Sequence, residues 1–94
     1  MKEIEKIKRS VSSILKKGGV KRAGIFGSRA RGDAKKNSDV DILVDIKENI
    51  SLLQFISLKM ELEKKLKRKV DLVEYKCVKP RLMKQIFSEE VRIL

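Results

Sequence analysis

The sequence contains no histidine, no tryptophan, one cysteine (Cys77) and one proline among its 94 residues. The absence of histidine excludes a Ser-His-Asp triad and the common zinc sites, and it leaves Cys77 without the base that would activate it as a nucleophile. A single cysteine cannot form an internal disulfide, so nothing in the chain requires an oxidising compartment. We therefore expect Cys77 to be a small apolar filler near the end of a strand.

Long apolar runs are also missing. No stretch approaches the roughly 20 residues needed to span a membrane, and the N-terminus lacks the apolar region of a signal peptide. We therefore expect a cytoplasmic protein with no membrane association. A chain of this length makes one domain (residues 1–94) that buries about 60–65% of its unfolded surface. A large substrate must then be held on an open face or by a partner.

Acidic residues are outnumbered. Lysine and arginine total 24 against 13 aspartates and glutamates, which gives a formal net charge of +11. Such a charge favours polyanionic partners such as a nucleotide, a nucleic acid or an acidic protein surface, but it is also typical of the Lys/Glu-rich surfaces of thermophilic proteins. With only four aromatic residues, the chain offers no stacking platform for bases. Direct nucleic-acid binding is therefore the weaker interpretation.

The apolar pattern predicts an α/β (α+β) domain. Apolar residues recur at three- and four-residue intervals in 2–17 and 51–67, as in amphipathic helices, whereas Val40 to Ile46 alternate with period two, as in a half-buried strand. Pro80 fits the first turn of a last helix. The predicted order is α-β-(α)-β-α-β-α, with a small mixed sheet of three to four strands. The other predicted elements are a strand at Val20–Phe26, a helical turn at 28–32, a strand at 69–75 and a short edge strand near 91–94.

The predicted helix at 51–67, with Ser51 as its N-cap, carries more apolar residues than one contact requires. They cover more than half of the helix circumference, whereas packing on one sheet face needs a stripe of only about 100°. The surplus has two explanations. The helix either makes a second contact, with another protomer or a partner helix, or it is deeply buried.

Three carboxylates and a Gly-Ser pair are predicted to meet at one edge of the sheet. The second and third strands are joined by a helical crossover and should be parallel, which places Asp39 and Asp41 beside Asp71. The first strand reaches the second by a short connection and should be antiparallel, so its exit at Gly27 and Ser28 arrives at the same edge. Residues two apart on a strand share a side, so Asp39 and Asp41 project together.

This combination suits a magnesium-bound nucleoside triphosphate. Clustered carboxylates repel each other unless a cation neutralises them, and Mg²⁺ takes carboxylate oxygens together with substrate phosphates. Two ions about 3.5–4 Å apart could hold the attacking and leaving oxygens of an in-line displacement. Gly27 lets the backbone approach a phosphate, and Ser28 offers a hydroxyl and an N–H at the start of a helical turn. Phosphoryl chemistry is therefore the first functional hypothesis.

Other polar residues nearby have more than one interpretation. Arg29 and Arg31 are candidate triphosphate ligands, although only one can easily point inward and both could be solvated charges. Ser38 is expected to be a turn or cap residue rather than a ligand, and Asp45 lies too far along its strand. Tyr75 is expected to be a partly buried strand residue, with base stacking as the alternative.

Three segments resemble the minimal nucleotidyltransferases of the DNA polymerase beta superfamily: Gly27 to Gly32 (GSRARG), Ser38 to Val44 (SDVDILV) and Val70 to Val73 (VDLV). The resemblance spans nearly the whole chain; its first two segments are highly specific and its third is short. It implies a polymerase-beta-like palm that transfers a nucleotidyl group and releases pyrophosphate. It also implies site roles, in which Gly27 and Ser28 hold the triphosphate, Asp39 and Asp41 bind Mg²⁺, and Asp71 completes the metal site on the acceptor side.

The resemblance implies, further, that small stand-alone members pair with a HEPN-domain toxin and act as antitoxins by adenylylating it with ATP. The leading hypothesis is therefore a magnesium-dependent protein adenylyltransferase that uses ATP. The alternatives are an antitoxin that neutralises its partner by contact alone, a transferase acting on a small molecule, and a basic nucleic-acid-binding protein. The nucleotide, the acceptor and any homo- or hetero-oligomeric state are left open.

Overall fold

The computed structural model describes residues 2–35, 38–47 and 49–94. Its elements match the predicted order, and the first strand has the predicted bounds. The helices are α1 (Lys2–Lys17), α2 (Ser28–Arg31), α3 (Leu52–Leu66) and α4 (Pro80–Glu89), with a 3₁₀ helix at Tyr75–Cys77. The strands are β1 (Val20–Phe26), β2 (Val40–Ile46), β3 (Val70–Glu74) and β4 (Val91–Arg92). Within the described residues, no helix has the length and apolar character to cross a membrane.

The four strands form one mixed sheet in the order β3-β2-β1-β4. β1 pairs antiparallel with β2 and with β4, whereas β2 and β3 are parallel. The parallel pair follows from the α3 crossover, which returns the chain to the same end of the sheet. Both strand directions inferred from the connection lengths are confirmed, and so is the mixed α/β fold. The short C-terminal edge strand is also present.

One face of the sheet is covered by α1 and α3. The apolar residues of α1 recur every three or four positions and are buried, and they pack with the inward side chains of β2 and β3 in one continuous core. Ser51 is the N-cap of α3, as predicted, and a capping box forms because Ser51 and Gln54 each accept a hydrogen bond from the other's backbone N–H. The most deeply buried members of this core are Val11, Leu15, Ala23, Ile25, Ile42, Val44 and Leu62.

The surplus of apolar residues on α3 lies on the surface. Leu52, Leu53 and Met60 expose 73%, 77% and 61% of their area, so the explanation by deep burial is wrong. The helix has only one covered side, because α1 and β3 are its neighbours in the described chain. A second contact with another chain stays a prediction. The expected filler role of Cys77 is also wrong, because its thiol is exposed.

Beside the N-terminal end of α3, a groove of about 390 Å³ opens towards β3 and the 3₁₀ helix. The other end of α3, at Leu66, leads into the start of β3, where Asp71 lies. The groove and Asp71 are therefore at opposite ends of α3. Leu52, Phe55, Leu72 and Cys77 are among the groove's lining residues. The groove is therefore largely apolar and continuous with the exposed side of α3.

The opposite face of the sheet has a smaller covered region around Tyr75. The prediction of a strand position for Tyr75 is wrong, because β3 ends at Glu74 and the chain turns into the 3₁₀ helix. There the ring stacks on Phe87 at 5.9 Å between centroids, and the guanidinium of Arg22 lies 4.2 Å from its centre. The hydroxyl donates to Glu90, and burial, followed by this hydrogen bond, raises the pKa of Tyr75 above its ordinary value. Tyr75 is thus a packing residue and offers no open face for a base.

Candidate active site

The three predicted carboxylates lie at one edge of the sheet. Asp41 and Asp71 are paired in register on the parallel strands β2 and β3. Asp39 lies two residues before Asp41, just ahead of β2, and residues two apart on an extended backbone share a side. Asp39 and Asp71 are exposed, whereas Asp41 is half-buried. Their neighbours Val40 and Val70 face the core instead. The strand register thus produces the side-by-side arrangement that the sequence predicts.

The turn after β1 arrives at the same edge. Phe26, the last residue of β1, is paired with Asp41, so Gly27 follows directly beside that carboxylate. Gly27 has φ of 73°, and a Cβ built on it would lie 2.3 Å from Oδ2 of Asp41. An L-residue would therefore suffer both a strained backbone and a collision. Glycine is required here because the backbone passes against the carboxylate.

Ser28 begins α2 immediately after this turn. Its carbonyl accepts the N–H of Asp33, and the Gly27 carbonyl accepts the N–H of Arg31, which closes the short helix. The Ser28 hydroxyl has no hydrogen-bond partner among the described residues. Gly32 ends the helix in the left-handed conformation. The turn therefore presents an unengaged hydroxyl next to the carboxylate edge.

The carboxylates interact electrostatically. Burial raises the pKa of Asp41, and the negative charges of Asp71 and then Asp39 raise it further, while Arg29 and Arg31 oppose the shift. A carboxylate whose ionised form is disfavoured by two like charges gains the most from a bound cation. This electrostatic state fits a site that holds a cation during function.

The ligand chemistry suits Mg²⁺. The candidate ligands are the hard carboxylate oxygens of Asp39, Asp41 and Asp71, the type that magnesium prefers. Within the described part of the chain, no three side chains of the aspartate, glutamate, histidine and cysteine types lie close enough together to hold a metal ion as they stand. Magnesium usually keeps positions for water and substrate phosphates, so an open set beside the Ser28 turn fits such an ion better than a structural metal.

The two arginines of the turn have different surroundings. Arg29 is only 4% exposed; its Nη1 donates to Glu3 Oε1 and its Nη2 to the Ser38 carbonyl, both at 2.7 Å. Arg31 is on the surface, where its guanidinium lies 3.3 Å from Asp33 and 3.4 Å from Glu89. Both terminal nitrogens of Arg29 are therefore engaged with protein oxygens, whereas Arg31 is held only by exposed pairs.

Sequence reasoning missed Glu3 and the carbonyl of Ser38. Together with Arg29 they link the first turn of α1, the turn after β1 and the segment leading into Asp39. The Ser38 hydroxyl accepts the N–H of Lys35, which agrees with the expected turn role. Asp45 pairs with Lys21 at 3.7 Å, further along β2. No local pattern links Glu3 to Arg29, because 26 positions separate them.

A mixed sheet with carboxylates at its edge beside a Gly-Ser turn defines the palm of a nucleotidyltransferase. The family profile described as "Polymerase beta, Nucleotidyltransferase" matches residues 5–94. The chain therefore belongs to the polymerase beta nucleotidyltransferase family. The resemblance based on the GSRARG and SDVDILV segments is confirmed.

Two relatives are close in sequence. A Methanocaldococcus jannaschii protein with a provisional protein adenylyltransferase name is 48% identical over 91 residues, which is 97% of this chain and 98% of the relative. The protein adenylyltransferase MntA of Thermococcus cleftensis is 48% identical over 75 residues, or 80% of this chain and 76% of the relative. The relatives thus have nearly the length of this chain.

Two solved structures are similar in fold. A provisionally named minimal nucleotidyltransferase superimposes with a TM-score of 0.83 at 36% identity, covering 96% of this chain and 92% of that one. One chain of a structure described as a tri-AMPylated Shewanella oneidensis HEPN toxin in complex with MNT antitoxin matches with a TM-score of 0.74 at 18% identity, covering 97% of this chain and 71% of that one. At that identity, the second match shows the fold alone.

Proposed function

We propose that this protein is a magnesium-dependent nucleotidyltransferase that moves AMP from ATP to a hydroxyl of a HEPN-type toxin, and so acts as its antitoxin in the cytoplasm. The observation that carries the proposal is the meeting of Asp39, Asp41 and Asp71 beside the Gly27-Ser28 turn. The named activities of relatives that are 48% identical support AMP transfer to a protein. The toxin-bound structure of similar fold supports the partner.

Each site residue has a role in this proposal. Gly27 lets the triphosphate approach the backbone, and Ser28 donates its hydroxyl and N–H to phosphate oxygens. Asp39 and Asp41 would hold two Mg²⁺ ions, with Asp71 as the additional ligand on the acceptor side. The bound ions would neutralise phosphate charge and lower the pKa of the acceptor hydroxyl. Arg31, at the surface of α2, is the arginine that can reach the triphosphate by a change of rotamer.

The reaction is an in-line substitution at the α-phosphorus of ATP. The acceptor oxygen forms a bond to that phosphorus while the bond to the bridging α–β oxygen breaks, and pyrophosphate leaves. The acceptor proton passes to Asp71 or to water. Catalysis then consists mainly of positioning and charge stabilisation, as in other phosphoryl transfers. An open carboxylate edge suits an acceptor delivered by another protein.

The exposed apolar side of α3 favours a second candidate function. Leu52, Leu53 and Met60 form a surface that soluble proteins usually cover with a partner. An antitoxin could neutralise its toxin through this contact alone. In that case the toxin would be suppressed without any transfer of AMP.

A double substitution separates the two candidates. With α-labelled ATP, Mg²⁺ and the co-expressed toxin, we expect Asp39→Asn plus Asp41→Asn to reduce label transfer more than about 100-fold, because both ion ligands are lost. Asp45→Asn is the matched control on the same strand and should transfer label normally. Full transfer by the double variant would refute the site. Suppression of the toxin by a double variant that transfers no label would favour neutralisation by contact.

A further inference from the structure

A basic depression runs along the seam between α1 and α3, on the face of the sheet opposite the carboxylates. It consists of two adjoining cavities of about 320 and 360 Å³ that share Ser10 and Lys65. We call it the α1–α3 trough. Its polar lining residues are Lys6, Arg9, Ser10, Ser13, Lys65 and Arg68, with Arg29 and Glu3 at its inner end.

The charge of the trough is one-sided. Lys6 and Lys65 are exposed and have no ion-pair or hydrogen-bond partner among the described residues. The acidic lining residue, Glu3, is occupied by Arg29 at 2.7 Å. Arg9 contributes a further cation, paired only loosely with Glu5 at 3.9 Å across the exposed helix surface. Several cations therefore line one concave surface with little opposing charge.

A buried, unsatisfied group lies at the inner end of the trough. Arg29 is 4% exposed, and its Nε has no hydrogen-bond partner in the described structure. Its guanidinium charge is already paired with Glu3, so the unmet requirement at Nε is a hydrogen bond and not a counter-charge. The excess positive charge that an anion would offset is that of Lys6 and Lys65.

The composition of the trough favours phosphate groups. Lysine and arginine side chains with two serine hydroxyls are the usual partners of a phosphate backbone. Among the described residues, none that line either cavity is aromatic, so bases would not be stacked or read. From Lys6 to Ser13, α1 rises about 10 Å, which is enough for about three phosphates of a stacked strand.

We propose that the α1–α3 trough binds a single-stranded nucleic acid through its phosphates, without sequence preference. Lys6, Arg9 and Lys65 make the contacts, and the bases face solvent. The trough adjoins the carboxylate edge through Arg29 and Val40, both of which line the cavity; Val40 directly precedes Asp41. This proposal is independent of nucleotidyl transfer, because it uses the other face of the sheet.

The salt dependence of binding tests the proposal. A fluorescein-labelled single-stranded RNA of mixed sequence, about 12 nucleotides long, is titrated with the full chain between about 50 and 200 mM KCl. Three phosphate contacts predict a slope of log affinity against log salt near −2.1, or a roughly 18-fold loss over this range. Lys6→Ala plus Lys65→Ala should reduce the slope to about −0.7, or a roughly 3-fold loss.

Lys47→Ala plus Lys84→Ala is the matched control. It removes the same charge from two exposed lysines outside the trough and should keep the original slope. Lys6→Arg plus Lys65→Arg should also keep it, which shows that the trough variant fails through lost charge. Thermal melts check that every variant is folded. An equal decrease of the slope in the alanine variant and its control would overturn the proposal, as would the absence of RNA binding by the unaltered chain at low salt.

Competition distinguishes the ligand class. Unlabelled inorganic polyphosphate should displace the RNA, because both present closely spaced phosphates. Polyglutamate of equal charge should displace it at least about 10-fold less well. Equal displacement by polyglutamate would assign the trough to acidic protein surfaces and would overturn the nucleic-acid proposal.

Discussion

The two faces of the sheet differ in the burial and polarity of their side chains. On the helix-covered face, Ile42 and Val44 of β2 are fully buried in the core. On the other face of the same strand, Asp41 is half-buried and Asp39, just before the strand, is exposed. Because successive residues of a strand point to opposite sides, β2 contributes to stability and to the candidate site through alternate positions. Substitutions on the two faces should therefore have separable effects.

The largest expected effect on stability is on the covered face. Leu62→Ala should lower the free energy of unfolding by about 3 kcal/mol, because Leu62 is fully buried between helix and sheet and its removal leaves a cavity. Leu53→Ala on the same helix is the matched control and should change it by less than about 0.5 kcal/mol, since Leu53 is exposed. Urea denaturation of both variants provides the measurement. Equal losses would show that the exposed side of α3 is covered in solution.

The two arginines of α2 sharpen the comparison, because they lie on opposite sides of one helical turn. Arg29→Gln should lower the melting temperature and the transfer rate together. It removes the two buried hydrogen bonds that the guanidinium donates, one to Glu3 and one to the Ser38 carbonyl just before Asp39. Hydrogen bonds of this charged kind contribute about 1.5–3 kcal/mol each at most. Arg31→Gln should leave the melting temperature unchanged and raise the KM for ATP. Thermal melts and steady-state kinetics would show the split.

The opposite result would identify the phosphate ligand differently. If Arg29→Gln raised KM with an unchanged melting temperature, its guanidinium would leave Glu3 to bind the triphosphate. Arg29→Lys provides a further check, because lysine keeps the charge but cannot reach both oxygens in the same geometry. It should restore little of the lost stability if the double contact is what matters.

A smaller effect is expected from relief of repulsion at the carboxylate edge. Burial and the charges of Asp71 and Asp39 raise the pKa of Asp41, so the folded chain holds this proton more tightly than the unfolded chain. The free energy of unfolding therefore falls as pH rises from the ordinary pKa of an unfolded aspartate to the raised pKa of folded Asp41. Above that pH, the ionised form of Asp41 still destabilises the folded chain. Asp41→Asn should therefore be more stable than the unaltered chain at neutral pH in EDTA.

Denaturant titrations between about pH 3 and pH 7 would measure this difference. Asp45→Asn is the control on the same strand, where pairing with Lys21 predicts no gain. Saturating Mg²⁺ should reverse the order, because an ion that binds the folded state stabilises only a chain with intact ligands. An Asp41→Asn variant that is less stable in EDTA at every pH would contradict the electrostatic interpretation.

Much of the architecture could be predicted from local patterns. Period-two alternation and the length of the crossover determined the direction of β2 and β3, and the shared side of Asp39 and Asp41 followed from strand geometry. The packing of Tyr75 could not be predicted, because it depends on Phe87 and Arg22, which come from distant parts of the chain. The roles proposed for Gly27, Ser28, Arg31 and the three aspartates stay predictions.

The environment of Arg29 shows the same limit. Its sequence context, two residues from Arg31 in an arginine-rich turn, made both arginines candidate phosphate ligands without showing which one points inward. The difference arises from α1, which places Glu3 against one guanidinium and not the other. Local patterns identify which residues share an edge or a face, but partners distant in sequence decide which side chains remain available.

The exposed thiol of Cys77 has a practical consequence. Because it is the chain's one cysteine and lines the apolar groove beside α3, a maleimide fluorophore would attach at a single defined position. No engineered background lacking other thiols is needed. The dye would report occupancy of the groove through its emission, while the carboxylate edge at the other end of the sheet stays chemically untouched.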